Sequence, residues 1–123
     1  MKALRLLYLS LLVTGLIQAR PRVMRMEATA FSTPGVTASG TGTHWGIVAA
    51  DPTVLPLGSR IWVSGAGPYS GRYVVTDTGD KIIGRKVDLF IPNAAAAKQF
   101  GKKLVRVRVL RRGPPVVTAE KRS

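Results

Sequence analysis

The sequence predicts a small all-β barrel of six strands with one short helix near its C-terminus. Three observations carry this reading. Short apolar or alternating runs recur between residues 24 and 110, too brief for helices of ordinary length. Turn signals drawn from 13 glycines and 8 prolines separate them. Only one segment, AAAAKQF at residues 94–100, has the composition of a helix. Many short strands broken by Gly/Pro turns suit a closed barrel better than alternating α/β layers.

The first strand is expected at residues 24–31, with Met26, Ala28 and Ala30 sharing a face. Residues 32–43 (STPGVTASGTGT) are rich in Gly, Ser and Thr and read as a loop. Twelve residues is long for a connection in a compact domain, and loops of that length often carry function; a plain connector is the other reading. Residues 45–50 form a buried strand that ends at Asp51-Pro52, where proline stops the ladder. Residues 56–59 (PLGS) turn, 61–63 make a short strand, and 65–71, containing Pro68, turn again. Residues 72–76 are a strand and 78–80 a turn. In the next strand, at 86–91, Val87, Leu89 and Ile91 face one way and Lys86, Asp88 and Phe90 the other. Asn93 as N-cap, strong helix formers and Gly101 just past the end delimit the helix at 94–100. A last strand at 104–110 sets Arg106 and Arg108 opposite an apolar face.

The ends differ from this core. Residues 1–19 carry Lys2 and Arg5 ahead of an apolar run that is short for a membrane span, and Ala19 precedes a cleavage point. This is the layout of an export signal; Ile17, not a small residue, leaves an uncleaved anchor as the alternative. Either way the domain is expected outside the cytoplasm, in the cell envelope (periplasm or wall) or beyond it. Residues 20–25 read as a basic leader, 26–112 as the barrel domain, and 113–123, with Pro114-Pro115, as a disordered tail. With no cysteine, an exported fold has no disulfide to hold it and depends on its hydrophobic core.

The formal net charge is +13, which calls for an acidic partner. Outside the cytoplasm the available ones are anionic wall polymers and lipid head groups. Little aromatic interleaving accompanies the basic residues, so nucleic acid is not expected as a partner, and a solvated basic face is the reading adopted.

In so basic a chain the acids stand out. Three of the six, Asp77, Asp80 and Asp88, fall within residues 72–91 (RYVVTDTGDKIIGRKVDLFI), and Asp51 lies upstream. With His44 as the single histidine and no cysteine, neither a zinc-type site nor a Ser-His-Asp arrangement on a Gly-x-Ser-x-Gly elbow is supported. No metal and no cofactor is expected. Asp77-Thr78-Gly79 after an apolar strand echoes aspartic proteases, and Ile82-Ile83-Gly84-Arg85 echoes their second signature. The latter begins five residues after Asp77, too close for that fold.

Glycan cleavage fits better. A lytic transglycosylase needs one carboxyl group, protonated at the start by burial or a nearby like charge. Asp88, in the apolar run Val87–Ile91, has such a setting, and Asp77 ends a strand one short loop away. The bland alternative is that Asp77 caps a turn and Asp88 pairs with Lys86 or Arg85.

Three blocks, VAADPTVLPLGS at 48–59, VTDTGDKIIG at 75–84 and KVDLF at 86–90, resemble the 3D domain, named for its three aspartates. The similarity extends to EATAFSTPGVTASG at 27–40 and to the ending at Leu110. The family takes in small stationary-phase or spore-type lytic transglycosylases and the catalytic barrel of MltA-type enzymes. The resemblance implies a six-stranded double-psi β-barrel that cleaves the MurNAc–GlcNAc β-1,4 bond of peptidoglycan and leaves 1,6-anhydro-MurNAc ends. It implies Asp88 as catalytic acid/base, Asp77 beside it and Asp51 completing the cleft. Independently of the resemblance, the hydroxyls and amides of the 32–43 loop are suited to line a sugar site, and Thr37, Ser39, Gly40, Thr78 and Gly79 are the substrate-binding candidates. A non-catalytic wall-binding module of the same fold is the alternative. A barrel this small leaves a partner protein or self-association open. One departure stands out: the family usually reads Asp-Thr-Gly-Gly-Ala-Ile-Lys-Gly, and here Asp80, Lys81 and Ile83 replace the second Gly, the Ala and the Lys.

Overall fold

In the computed structural model, which describes residues 22–115, six strands close into a barrel. They are β1 (Arg22–Phe31), β2 (Ile47–Ala50), β3 (Arg60–Ser64), β4 (Gly71–Asp77), β5 (Lys86–Phe90) and β6 (Lys103–Arg111). One helix, α1 (Ala94–Phe100), lies between β5 and β6, and a 3₁₀ turn, Gly67–Tyr69, between β3 and β4. Around the barrel the order is β1-β5-β2-β4-β3-β6, closing back on β1. β1 pairs with β5, and β2 with β4, in parallel; the other four pairings are antiparallel. This is the six-stranded double-psi barrel with a single late helix that the sequence led us to expect.

Alternation along each strand fills the barrel. Met26 and Ala28 on β1, Val48 and Ala50 on β2, and Ile61 and Val63 on β3 point inward and are buried. So do Tyr73 and Val75 on β4, Val87 and Leu89 on β5, and Val105 and Val107 on β6. Burial of each larger aliphatic side chain contributes about 1.5–3 kcal/mol, the main support of a fold without disulfides. β2 is covered on both sides: Ile47 and Ala49 face outward yet are buried, as is Phe90 on β5, whose ring meets Phe31 edge-on with centroids 5.4 Å apart.

The helix closes this core. Asn93 Oδ1 accepts the Ala96 N–H at 2.9 Å, and Gly101 takes φ +64 just past the helix end. Ala97 and Phe100 pack into the barrel cluster, and the Lys103 ammonium lies 4.7 Å from the Phe100 ring centroid.

Three boundaries differ from expectation. Residues 22–25 are part of β1, laddered to Val109–Arg106 of β6, and not a loose leader; the long-range partner overrides a locally charged, proline-flanked sequence. Trp45 stands outside β2 and is 61% exposed, because Gly46 turns the chain at φ +85 before Ile47 starts the ladder. Gly113, placed by sequence in a tail, donates its N–H to Ser59 Oγ at 2.9 Å. A Cβ there would collide with the Leu57 carbonyl, so the chain remains tied to the barrel at this point. The expected export signal at 1–19 and most of the tail lie outside the described residues.

Replacing Asn93 with Ala is expected to cost about 1 kcal/mol, seen as a lower urea midpoint with unchanged slope. An unchanged midpoint would mean that the cap contributes nothing to the fold.

Candidate functional site

The ladder places the aspartates in one row. Asp77 of β4 is opposite Ala49 of β2, Ala49 is opposite Asp88 of β5, and Asp88 is opposite Thr29 of β1. Neighbouring strands are ~4.8 Å apart, so the Asp77 and Asp88 backbones stand roughly 10 Å apart across β2. The two were expected as close neighbours on strands joined by a short loop; a whole strand instead runs between them. The loop after β4 leads to a strand that pairs with β1 and β2.

All four residues of the row point away from the barrel interior. For Asp88 and Thr29 this follows from simple alternation beside Val87, Leu89 and Ala28. Asp77 is different. Tyr73 and Val75 point inward, so strict alternation would carry Asp77 into the core. The register shifts there: Val48 is opposite Val75, and the next residue, Ala49, is opposite Asp77. Thr76 is the extra residue of a β-bulge, and the bulge turns Asp77 onto the outer face with Asp88. It leaves the Thr76 hydroxyl buried with no hydrogen-bond partner among the described residues.

The three family aspartates have different surroundings. The Asp88 carboxyl is half-buried, and the Thr29 hydroxyl donates to its Oδ1 at 2.9 Å. Burial raises its pKa above the usual 3.8, and the Thr29 bond opposes that shift in part. No cationic side chain contributes, so the expected alternative of pairing with Lys86 or Arg85 does not shape this group.

Asp77 is an anchor. Its Oδ1 accepts the N–H of Ala38 at 3.0 Å and of Thr78 at 2.9 Å, while Ser39 N–H donates to the Thr76 carbonyl at 2.9 Å. The loop at 32–43 is thereby fastened to the end of β4. Within it, Val36 and Gly42 form an isolated bridge, and the Thr37 hydroxyl donates to the Thr41 carbonyl at 2.8 Å. Thr37 is buried; Ser39 and Gly40 are exposed beside the row, as are Thr78 and Gly79.

Asp51 is a brace. Oδ1 accepts from Thr53 N–H and hydroxyl at 2.9 and 2.7 Å, and Oδ2 accepts from Gly84 N–H at 2.8 Å. The Gly84 bond, then those from Thr53, hold its pKa below the usual value. Asp51 thus fixes the turn that leads into β5, upstream of Asp88. Asp80 lies exposed in the turn closed by Ile82 N–H to Gly79 O at 3.0 Å, outside the row.

Sequence reasoning missed Thr29, Ala49 and Thr76. Thr29 meets Asp88 only through the non-local β1–β5 pairing, which leaves no local signal. Thr76 did leave one: an aspartate at an inward position of an apolar strand signals an irregularity just before it.

Two outcomes follow. Thr76→Val keeps the shape and removes an unsatisfied hydroxyl, so it should stabilise the domain by about 1 kcal/mol in urea denaturation; destabilisation would mean that the hydroxyl is partnered. Asp51 has a depressed folded-state pKa, so its contribution is present above the unfolded value of 3.8 and is lost as pH falls through the folded value. Asp51→Asn should therefore destabilise the protein at neutral pH and progressively less in acid; an equal loss at all pH values would contradict the ionic role.

Comparison with known proteins agrees with this architecture. The 3D domain family matches residues 46–111, which include all three aspartates. The chain is 35% identical over 102 residues to the cell wall-binding protein YocH of Bacillus subtilis, covering 76% of this chain and 34% of that protein. It is also 35% identical over 98 residues to the putative cell wall shaping protein YabE of the same organism, covering 72% and 23%. The chain thus spans about a third or less of these relatives. Among solved structures, MltA from E. coli superposes with a TM-score of 0.54 at 20% identity, covering 66% of this chain and 28% of MltA. MltA with bound chitohexaose gives 0.53 at 21%, covering 67% and 29%. At this identity the likeness concerns the fold. With the family match spanning more than half of the chain and the barrel and aspartates in place, the chain belongs to the 3D domain family.

Proposed function

We propose that this protein acts in the bacterial cell envelope as a peptidoglycan lytic transglycosylase with Asp88 as its acid/base. The observation that carries the reading is the Asp88 carboxyl: half-buried, its pKa raised by desolvation, one oxygen held by Thr29, on the outer face of the barrel. The names of the wall-binding and wall-shaping relatives and the fold of MltA support the choice of substrate.

The chemistry needs one carboxyl group in two states. Protonated Asp88 gives its proton to the glycosidic oxygen as the C1–O bond breaks, and the GlcNAc hydroxyl leaves. Positive charge develops at C1 of MurNAc. The C6 hydroxyl of the same sugar attacks C1 as the Asp88 carboxylate takes its proton, which closes the 1,6-anhydro ring and restores the acid. No water is consumed. A raised pKa serves the first step and a positioned carboxylate the second.

Asp77 supports this indirectly. By fastening the 32–43 loop it holds Ser39 and Gly40 exposed beside the row with Thr78 and Gly79, where they would meet the glycan. Asp51 holds the turn before β5 and so keeps Asp88 in register. Both are positioning residues in this reading. A second reading, a non-catalytic glycan-binding module, is favoured by the name of the wall-binding relative and by the distance between the two aspartates of the row.

Digestion of purified peptidoglycan separates the two. Anhydro-muropeptides should appear with the wild type and fall by about 10²–10⁴-fold in Asp88→Asn. Binding without anhydro product from the wild type would leave the module reading. Activity should decline as pH rises through the raised Asp88 pKa. Thr29→Val removes the bond that favours the charged form, so it should move that decline to higher pH; a shift to lower pH would contradict the assigned role of Thr29.

A further inference from the structure

The side of the barrel opposite the aspartate row gathers arginines that have no part in the proposed glycan chemistry. The row centres on β5 and β2; across the closed order lie β3 and β6. On these strands and β4, the residues alternating with inward Ile61, Val63, Tyr73, Val105 and Val107 point outward. They include Arg60, Trp62, Arg72, Arg106 and Arg108, all exposed.

The ladder sets these side chains side by side. Trp62 is opposite both Arg108 and Arg72. Arg106 is opposite Arg25 of β1, and Arg60 is opposite Arg111. Directly opposed like charges destabilise a sheet. β3 and β6 contain no acidic residue, and β4 has one, Asp77, at its far end. On β1 the acid Glu27 shares the outer face with Arg25 two residues away and is opposite Lys86 and Leu104, a single acid beside several arginines. Most of the counter-charge must therefore come from outside this face.

The same surface also exposes apolar side chains. Val23 (56%), Trp62 (37%), Leu104 (69%) and Leu110 (46%) make up four of the seven large hydrophobic residues that the described part of the chain leaves in solvent. A shallow depression of about 230 Å³ lies between Val23, Trp62, Arg106 and Arg108. Apolar residues interleaved with guanidinium groups, and a tryptophan among them, match the interfacial layer of an anionic bilayer. There arginine meets lipid phosphates, and the indole and aliphatic groups reach the upper acyl region. A soluble polyanion would explain the arginines alone. Nucleic acid would call for successive stacking rings, and Trp62 is the one aromatic residue here.

We propose that the outer face of β3 and β6, with the adjoining edges of β1 and β4, docks peripherally on an anionic lipid surface and turns the aspartate row away from it. The interaction does not depend on glycan cleavage and is read separately from it.

The test uses the full chain carrying Trp45→Phe, which leaves Trp62 as the fluorophore, with vesicles of phosphatidylcholine alone or containing phosphatidylglycerol. With the anionic vesicles, Trp62 emission should shift to the blue and the protein should co-sediment, both weakening with salt. Arg106→Gln/Arg108→Gln should lower the partition coefficient about 10- to 30-fold. Any of three results overturns the proposal: no Trp62 shift, as when residues outside the barrel alone bind the vesicles; equal binding by the double variant; or tighter binding of soluble poly(glycerol phosphate) or an oligonucleotide than of vesicles.

Discussion

An ionised carboxylate is not tolerated in the dry interior of a six-stranded barrel, and strand alternation admits no gradual escape from it. β4 would deliver Asp77 to the inside two residues after Val75. One extra residue, Thr76, reverses the direction and brings Asp77 out beside the Asp88 row. The site depends on that bulge. With Asp77 outside, its carboxylate can collect two backbone N–H groups and fasten a loop that begins after β1, so β4, β2, β5 and β1 contribute to one surface. The unpartnered Thr76 hydroxyl is a local cost of the arrangement.

The three family aspartates then divide by what surrounds them. Asp51 is saturated with donors and held ionised; Asp77 shares one oxygen between two amides; Asp88 has a single hydroxyl and partial burial. Donors favour the charged form and desolvation the neutral one, so the same side chain is a brace, an anchor and a candidate acid at three places. Charge is also uneven around the barrel, with Asp77 and Asp88 flanking β2 and arginines opposed across β3 and β6.

Much of this was legible in the sequence because it is local. The helix with its Asn93 cap and Gly101 stop, the inward series on β5 and β6, and the small-barrel class all follow from period and punctuation. The three blocks that resemble the 3D domain singled out Asp51, Asp77 and Asp88, all of which lie within the family match. What was not legible depends on pairing between distant segments. Residues 22–25 read as a charged leader until β6 supplies a partner, and Thr29 reaches Asp88 only because β1 and β5 run in parallel. The basic residues read only as a solvated face, and closure of the barrel brings Arg25 opposite Arg106 and Arg60 opposite Arg111.

As the proposed proton donor, Asp88 must be a carboxyl that the fold keeps protonated to higher pH, and site-resolved carbon NMR of the aspartate carboxyls across an acid titration measures this directly. Asp88 should titrate above the ordinary value of 3.8, and Asp51 below it. An Asp88 that titrates at or below Asp51 would contradict the assignment of Asp88 as the proton donor.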